Sequence, residues 1–169
     1  MAVTGLGTLD GSAGASRERH PDVRAAAVPA GAGSAARPDA AWDLLVVLLG
    51  APHARDEVST ALRWAHAAAR RGGRVQVWTC GHATLLTGAA LGEEKPTNVL
   101  DWAGRAETSA TWATRFVEEH EGRTRWLVCR FCSDERGAGT HVAVARVRPA
   151  TAFARHVRES ARTLVVGVI

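Results

Sequence analysis

The chain has 169 residues, with 21 Lys+Arg against 17 Asp+Glu and a formal net charge of +4. That length fits one ordinary domain, long enough to bury a core without disulfides or a structural metal. The small excess of charge, arginine everywhere except Lys95, gives no ground for a nucleic-acid partner. No apolar run approaches the roughly 18 residues of a membrane span, and the first residues lack a basic segment followed by a long apolar one, so neither a membrane nor a secretory route is expected. Three cysteines are an odd and small number for a disulfide framework, which points to free thiols in a reducing cytoplasm.

Residues 1–40 are mostly Gly, Ala, Ser, Pro and Arg, with no sustained apolar period. Arg17, Arg19, Arg24 and Arg37 balance Asp10, Glu18, Asp22 and Asp39. Such a stretch cannot offset its ordering entropy by burial, so it is expected to be a flexible tail, with an arm ordered on a neighbouring subunit as the rival. Residues 41–169 are expected to form a single α/β domain.

The apolar run over 44–49, closed by Gly50, suits a strand buried on both faces. Asp56 can cap a helix that runs to Arg71 with Leu62, Ala65, Ala69 and Val58 on its inner stripe, and Gly72-Gly73 stops it. Residues 75–78 form the second strand, completing a right-handed strand–helix–strand unit. A short helix broken by Gly88 and Gly92 is expected over 82–91, mostly loop over 92–107, and a further helix from Thr108 or Ser109 to Gly122, with Trp112, Phe116 and Val117 toward the core. A third strand follows over 126–129, then a short helix stopped by Gly137, a fourth strand over 142–147, a helix after Pro149 carrying Phe153, Val157 and Ala161, and a fifth strand over 164–168. The alternation predicts an α/β fold with a mostly parallel five-stranded sheet and helices on both faces, a three-layer sandwich.

The sharpest chemical feature is Cys129-Arg130-Phe131-Cys132 at a strand–helix junction. Helix amides there lower a thiol pKa, and Arg130 and Arg136 add positive charge if they point inward. The bland alternative is two cysteines packed as small hydrophobes. Cys132 lies deeper in the turn and is the better candidate nucleophile. Cys80 ends the second strand, and carboxyl ends of parallel strands are the usual ligand face of such sheets, so Cys80 and Cys129 are expected on one edge. Three thiolates with His82 would suffice for tetrahedral zinc, but no second close pair brackets Cys80, and no metal is assigned. His82 is alternatively a base for a thiolate or a solvated histidine. His53 sits at the end of the first strand, His66 reads as structural, and His120, His141 and His156 have no partner pattern. Asp134 can accept first-turn amides, and Trp102 and Trp112 are candidate pocket or interface aromatics. The glycine-rich dinucleotide fingerprint, the phosphate loop, H-E-x-x-H and G-x-S-x-G are all missing, which argues against the common nucleotide-binding enzymes, zincins and lipases.

The segment C-R-F-C-S-D-E-R-G over 129–137 resembles the C-G-T-C-L-D-A-R-G segment of the DsrE/DsrF-like (YchN-like) family of sulfur-relay and sulfur-oxidation proteins. Both cysteines, Asp134, Arg136 and Gly137 match in place, over a resemblance that covers residues 42–169. The apolar first strand, the helix ending in Arg-Gly-Gly and the Val-x-Val-Trp strand fit as well. Near the end, Ala161 to Gly167 lacks the aspartate that members commonly carry. The resemblance implies an α/β sandwich assembled into homotrimers or hexamers, with no bound cofactor. It also implies a cysteine that takes sulfane sulfur from a donor protein and passes it to an acceptor protein. Carried over, Cys129 or Cys132 bears the sulfur, with Cys132 favoured; Cys129 then resolves it or holds it as a disulfide, and Arg136 or the helix amides steady the thiolate. The alternative is a non-catalytic oligomeric binding or regulatory protein whose cysteines are structural.

Overall fold

A computed structural model describes residues 39–50, 56–96 and 103–167. Nearly all of the expected tail, with His53 and Trp102, lies outside the described residues. Five strands form one sheet: β1 (Trp42–Leu48), β2 (Val75–Thr79), β5 (Thr124–Cys129), β6 (Ala145–Arg148) and β7 (Ser160–Val166), in the spatial order β6-β5-β2-β1-β7. Every pairing in it is parallel. The chain builds outward from β1 to β6 and then returns to lay β7 on the other side of β1.

Parallel strands need crossovers, and the crossovers cover both faces. One face packs against α1 (Glu57–Arg70) and α2 (Ser109–Glu118). Val46, Leu48, Val75, Val77, Trp126 and Val128 supply its sheet side, and Ala61, Leu62, Ala65, Ala113 and Phe116 its helix side. The other face carries Leu45, Val47, Trp78 and Leu127 under α4 (Phe153–Arg158). Because successive strand residues alternate faces, the continuous apolar run of β1 is what a two-sided layer requires. The expected sheet and three-layer arrangement are therefore present.

Inside α1, the buried Val58, Ala61, Leu62, Ala65 and Ala69 fall on one stripe, the expected one with Ala61 added. Asp56 stands at the N-cap, but its side chain makes no cap bond; its carbonyl accepts from Ser59 Oγ and the Thr60 N–H instead. Thr108 does cap α2, its side chain accepting from the Thr111 N–H at 3.2 Å.

On the α4 face, Gln76 is fully buried and would leave amide groups unsatisfied without partners. His156 Nδ1 donates to its Oε1 at 3.0 Å, and its Nε2 donates to Ser160 Oγ at 2.8 Å. Ser160 Oγ in turn donates to the His156 carbonyl at 2.8 Å, closing a ring of bonds between β2, α4 and β7.

Several boundaries differ from expectation. Residues 82–91 are helical with the expected breaks at Gly88 and Gly92, but of the tighter 3-10 kind, in two stretches, Gly81–Thr87 and Ala89–Leu91. Gly88 breaks the run, and Ala89 N–H and Thr87 C=O bond outward, to the Thr140 carbonyl and the Val142 N–H. The expected loop over 92–107 contains a small antiparallel pair, β3 (Glu94–Pro96) with β4 (Arg105–Glu107). β6 starts later than expected, at Ala145. β7 starts at Ser160, because the Gln76 and His156 bonds fix that residue to the sheet, and α4 stops short of Ala161.

Candidate functional site

β2 and β5 are neighbours in parallel, so their last residues come out on the same edge of the sheet. Cys80 is the residue after β2, and Cys129 ends β5. The chain turns directly from Cys129 into α3 (Arg130–Glu135), which brings Cys132 back over that edge. The three Sγ atoms lie within 4.8 Å of one another. Cys80 Sγ and Cys132 Sγ are 3.2 Å apart, a thiol–thiol hydrogen bond. All three cysteines are free. The expectation that Cys80 shares an edge with the Cys-x-x-Cys pair is met, and its sulfur lies in hydrogen-bond contact with that of Cys132.

The three thiols have different electrostatics. Burial pushes the Cys80 thiol up to about 12, helped by its bond to Cys132. Burial likewise raises Cys129, against the opposing pull of the Cys132 main-chain amide. Burial alone would raise Cys132 too. There the Gly81 main-chain amide, the thiols of Cys80 and Cys129, and the Arg136 charge outweigh it, and the Cys132 thiol sits below its ordinary value of 9.0. The Cys80 contact and the Gly81 amide thus favour the thiolate on Cys132 over the other two sulfurs. Cys132 is 8% exposed, a shallow burial, against 2% for Cys129. An apolar cavity of about 370 Å³, walled by Val47, Trp78, Phe153 and Val165, opens on Cys80 and Cys129.

Arg136 closes α3 and is partly buried, paired through Nη1 with Glu135. Arg130 is exposed and adds no inward charge. Asp134 lies beyond the first turn of α3 and is exposed, so it orients the helix only through its carbonyl, which accepts from the Gly137 N–H. His82 is exposed and stands outside the thiol cluster. The four-ligand set with His82 is therefore not assembled, although the three thiols have the spacing to occupy three positions around a soft metal.

One functional contact gave no sequence signal. His141 bridges Thr87 Oγ1 at 3.0 Å through Nδ1 and Ser133 Oγ at 2.8 Å through Nε2. It ties α3 to the 3-10 segment that starts at Gly81, and so fixes Cys132 against the Gly81 amide. Ser133 follows Cys132 directly, but His141 lies beyond three glycine-rich turn positions and no pattern joins them. A second group with ligand spacing, His66, Glu119 and His120, sits between α1 and the end of α2. There His66 packs edge-on against His120, with ring centroids 5.4 Å apart. Trp112 stacks on Phe116 with centroids 5.1 Å apart and also lines a cavity with Val58, Leu62 and Leu86.

No family profile matches the chain. No curated protein matches it either. Among solved structures, the crystal structure of the YchN protein from E. coli is similar to it, with a TM-score of 0.58 and 16% identity, over 73% of this chain and 98% of that one. The chain thus has the YchN fold, the architecture that the resemblance at residues 129–137 leads one to expect.

Proposed function

We propose that this chain is a cysteine-based sulfur-transfer protein. In this reading Cys132 accepts sulfane sulfur from a donor persulfide and hands it to a partner thiol. The observation that carries it is the convergence of three thiols at the ligand edge of a parallel sheet, with Cys132 the one whose thiol its neighbours hold below the ordinary value. Thiol exchange needs an ionised, reachable sulfur and a nearby group to manage the leaving thiolate. Cys132 is the acceptor, Cys80 and Cys129 are the thiols that hydrogen-bond to it or receive from it, and Arg136 steadies its charge. Donor and acceptor are proteins, the chain works as a homotrimer or hexamer, and its compartment is the cytoplasm.

A rival reading has support in the packing. Cys129 and Cys132 are buried in one apolar cluster with Leu45, Val47, Trp78 and Leu127, and Cys80 packs against it, as structural cysteines in a non-catalytic oligomeric protein would. Incubating the reduced protein with a small persulfide, alkylating, and mapping the product by mass spectrometry separates the two. Sulfur transfer predicts that Cys132 takes up sulfane sulfur from the donor, seen either as one added sulfur on the Cys132 peptide or, where the sulfur moves on, as a Cys132 disulfide with released sulfide, and that Cys132→Ser abolishes both. Neither product from a chain whose Cys132 is confirmed reduced at the start sinks the proposal and leaves the structural reading.

A further inference from the structure

Cys80 does not belong to the Cys-x-x-Cys segment, yet its sulfur is the one 3.2 Å from Cys132. That distance is within the range of a near-attack pair. Cys80 is also the least buried of the three cysteines, and the apolar cavity reaches it. A sulfane sulfur placed on Cys132 therefore has a protonated thiol against the sulfur that anchors it.

We propose that Cys80 is a resolving thiol that discharges sulfane sulfur from Cys132 as hydrogen sulfide, closing a Cys80–Cys132 disulfide. This rests on the sulfur-transfer reading above and extends it to a release step. The chemistry runs in two exchanges. The Cys132 thiolate attacks the outer sulfur of a donor persulfide; the donor S–S bond breaks, the donor leaves as a thiolate, and Cys132 holds the persulfide. Cys80 Sγ then attacks Cys132 Sγ. A new S–S bond forms between the two cysteines, the bond from Cys132 to its outer sulfur breaks, and that sulfur leaves as hydrosulfide with the electron pair. It takes up the proton lost by Cys80 and departs as hydrogen sulfide. The two cysteines are together oxidised by two electrons, and the sulfane sulfur is reduced by two. An external dithiol then reduces the disulfide and resets the site.

The ordering of the thiols suits this sequence. While Cys132 is a thiolate, its charge and its hydrogen bond hold the proton on Cys80. Once Cys132 is persulfidated that bond no longer ends on a thiolate, and Cys80 can give up its proton to the leaving sulfur. Cys129 is less well placed, since it is more deeply buried than Cys80.

The test uses the full reduced chain, freed of reductant and given one equivalent of glutathione persulfide. Sulfide is measured by trapping with bromobimane, and the protein is alkylated and mapped by mass spectrometry. The expected result is about one equivalent of sulfide per chain beyond the donor blank, with a disulfide joining the Cys80 and Cys132 peptides. Cys80→Ser and Cys80→Ala are expected to release roughly tenfold less sulfide or lower still, and to keep the extra sulfur on Cys132. Retention of the persulfide on Cys132 by the wild-type chain would overturn the proposal while leaving sulfur transfer intact, and so would a disulfide between Cys129 and Cys132. Failure of both wild type and Cys80 variants to take up sulfur would remove the sulfur-transfer reading itself.

Discussion

At the scale of single residues, the account turns on which sulfur is ionised. Four influences act together on Cys132: one amide, two thiols and one arginine. Each is expected to be separable by mutation. Gly81 holds a φ of +58°, where a side chain is strained by about 1 kcal/mol, while a Cβ there would meet only ordinary contact with the Gly50 nitrogen at 3.5 Å. Gly81→Ala is therefore expected to fold but to turn the amide away from Cys132. Arg136→Gln removes the charge and keeps the shape. Both variants are expected to move the alkylation midpoint of Cys132 upward, with a several-fold slower reaction at neutral pH, because only the thiolate reacts. Iodoacetamide rates read peptide by peptide between pH 6 and 10 check this; unchanged midpoints in both variants would assign the ionisation to something else.

At the scale of elements, the sheet edge makes the site and the His141 bridge holds it in place. His141→Ala leaves Ser133 Oγ and Thr87 Oγ1 without their bonds, and is expected to cost about 1–3 kcal/mol in urea unfolding. It is also expected to slow Cys132 labelling, because α3 loses its tie to the Gly81 segment. Loss of stability with unchanged labelling would mean that the bridge is structural only. The same bridge marks where the sequence stops being legible. The runs of β1 and β5 are apolar over 44–48 and 126–129, β2 is apolar over 75–78 except at Gln76, and the stripe of α1 repeats at helical spacing, so these elements read directly. The parallel neighbours then place Cys80 and Cys129 on one edge, and the Cys-x-x-Cys spacing brings Cys132 to it. What failed to read was short and polar, or decided at long range. β3 and β4 have three residues each and no apolar alternation. The start of β7 depends on Ser160 meeting Gln76 across the sheet. The 3-10 stretches arise because Thr87 and Ala89 bond to residues near His141 rather than to their own turn.

At the scale of the whole molecule, buried histidines link stability to pH. His156, His120 and His141 are each held below their ordinary value of 6.5, chiefly by burial. For His156 the cause is plain: Nδ1 already donates to Gln76, and Nε2 has no partner among the described residues to receive a second proton. The unfolded chain binds these protons more readily than the folded one. Their contribution is therefore complete above pH 6.5 and is lost as pH falls below it toward the lower folded values, with a slope of up to about 1.4 kcal/mol per pH unit for each histidine. Urea midpoints are expected to fall between pH 7.5 and 5.5, and His156→Gln to flatten that fall; a flat wild-type profile would contradict the assignment. The fold also does what no segment does alone, since it brings residues 52 positions apart in the chain into sulfur contact. The most direct measurement of that claim is competitive alkylation of the native, reduced chain at pH 7 with a limiting amount of iodoacetamide, followed by peptide mapping. Cys132 is expected to be labelled first, with Cys80 and Cys129 far behind; first labelling of Cys80 or Cys129, or equal rates at all three, would contradict it.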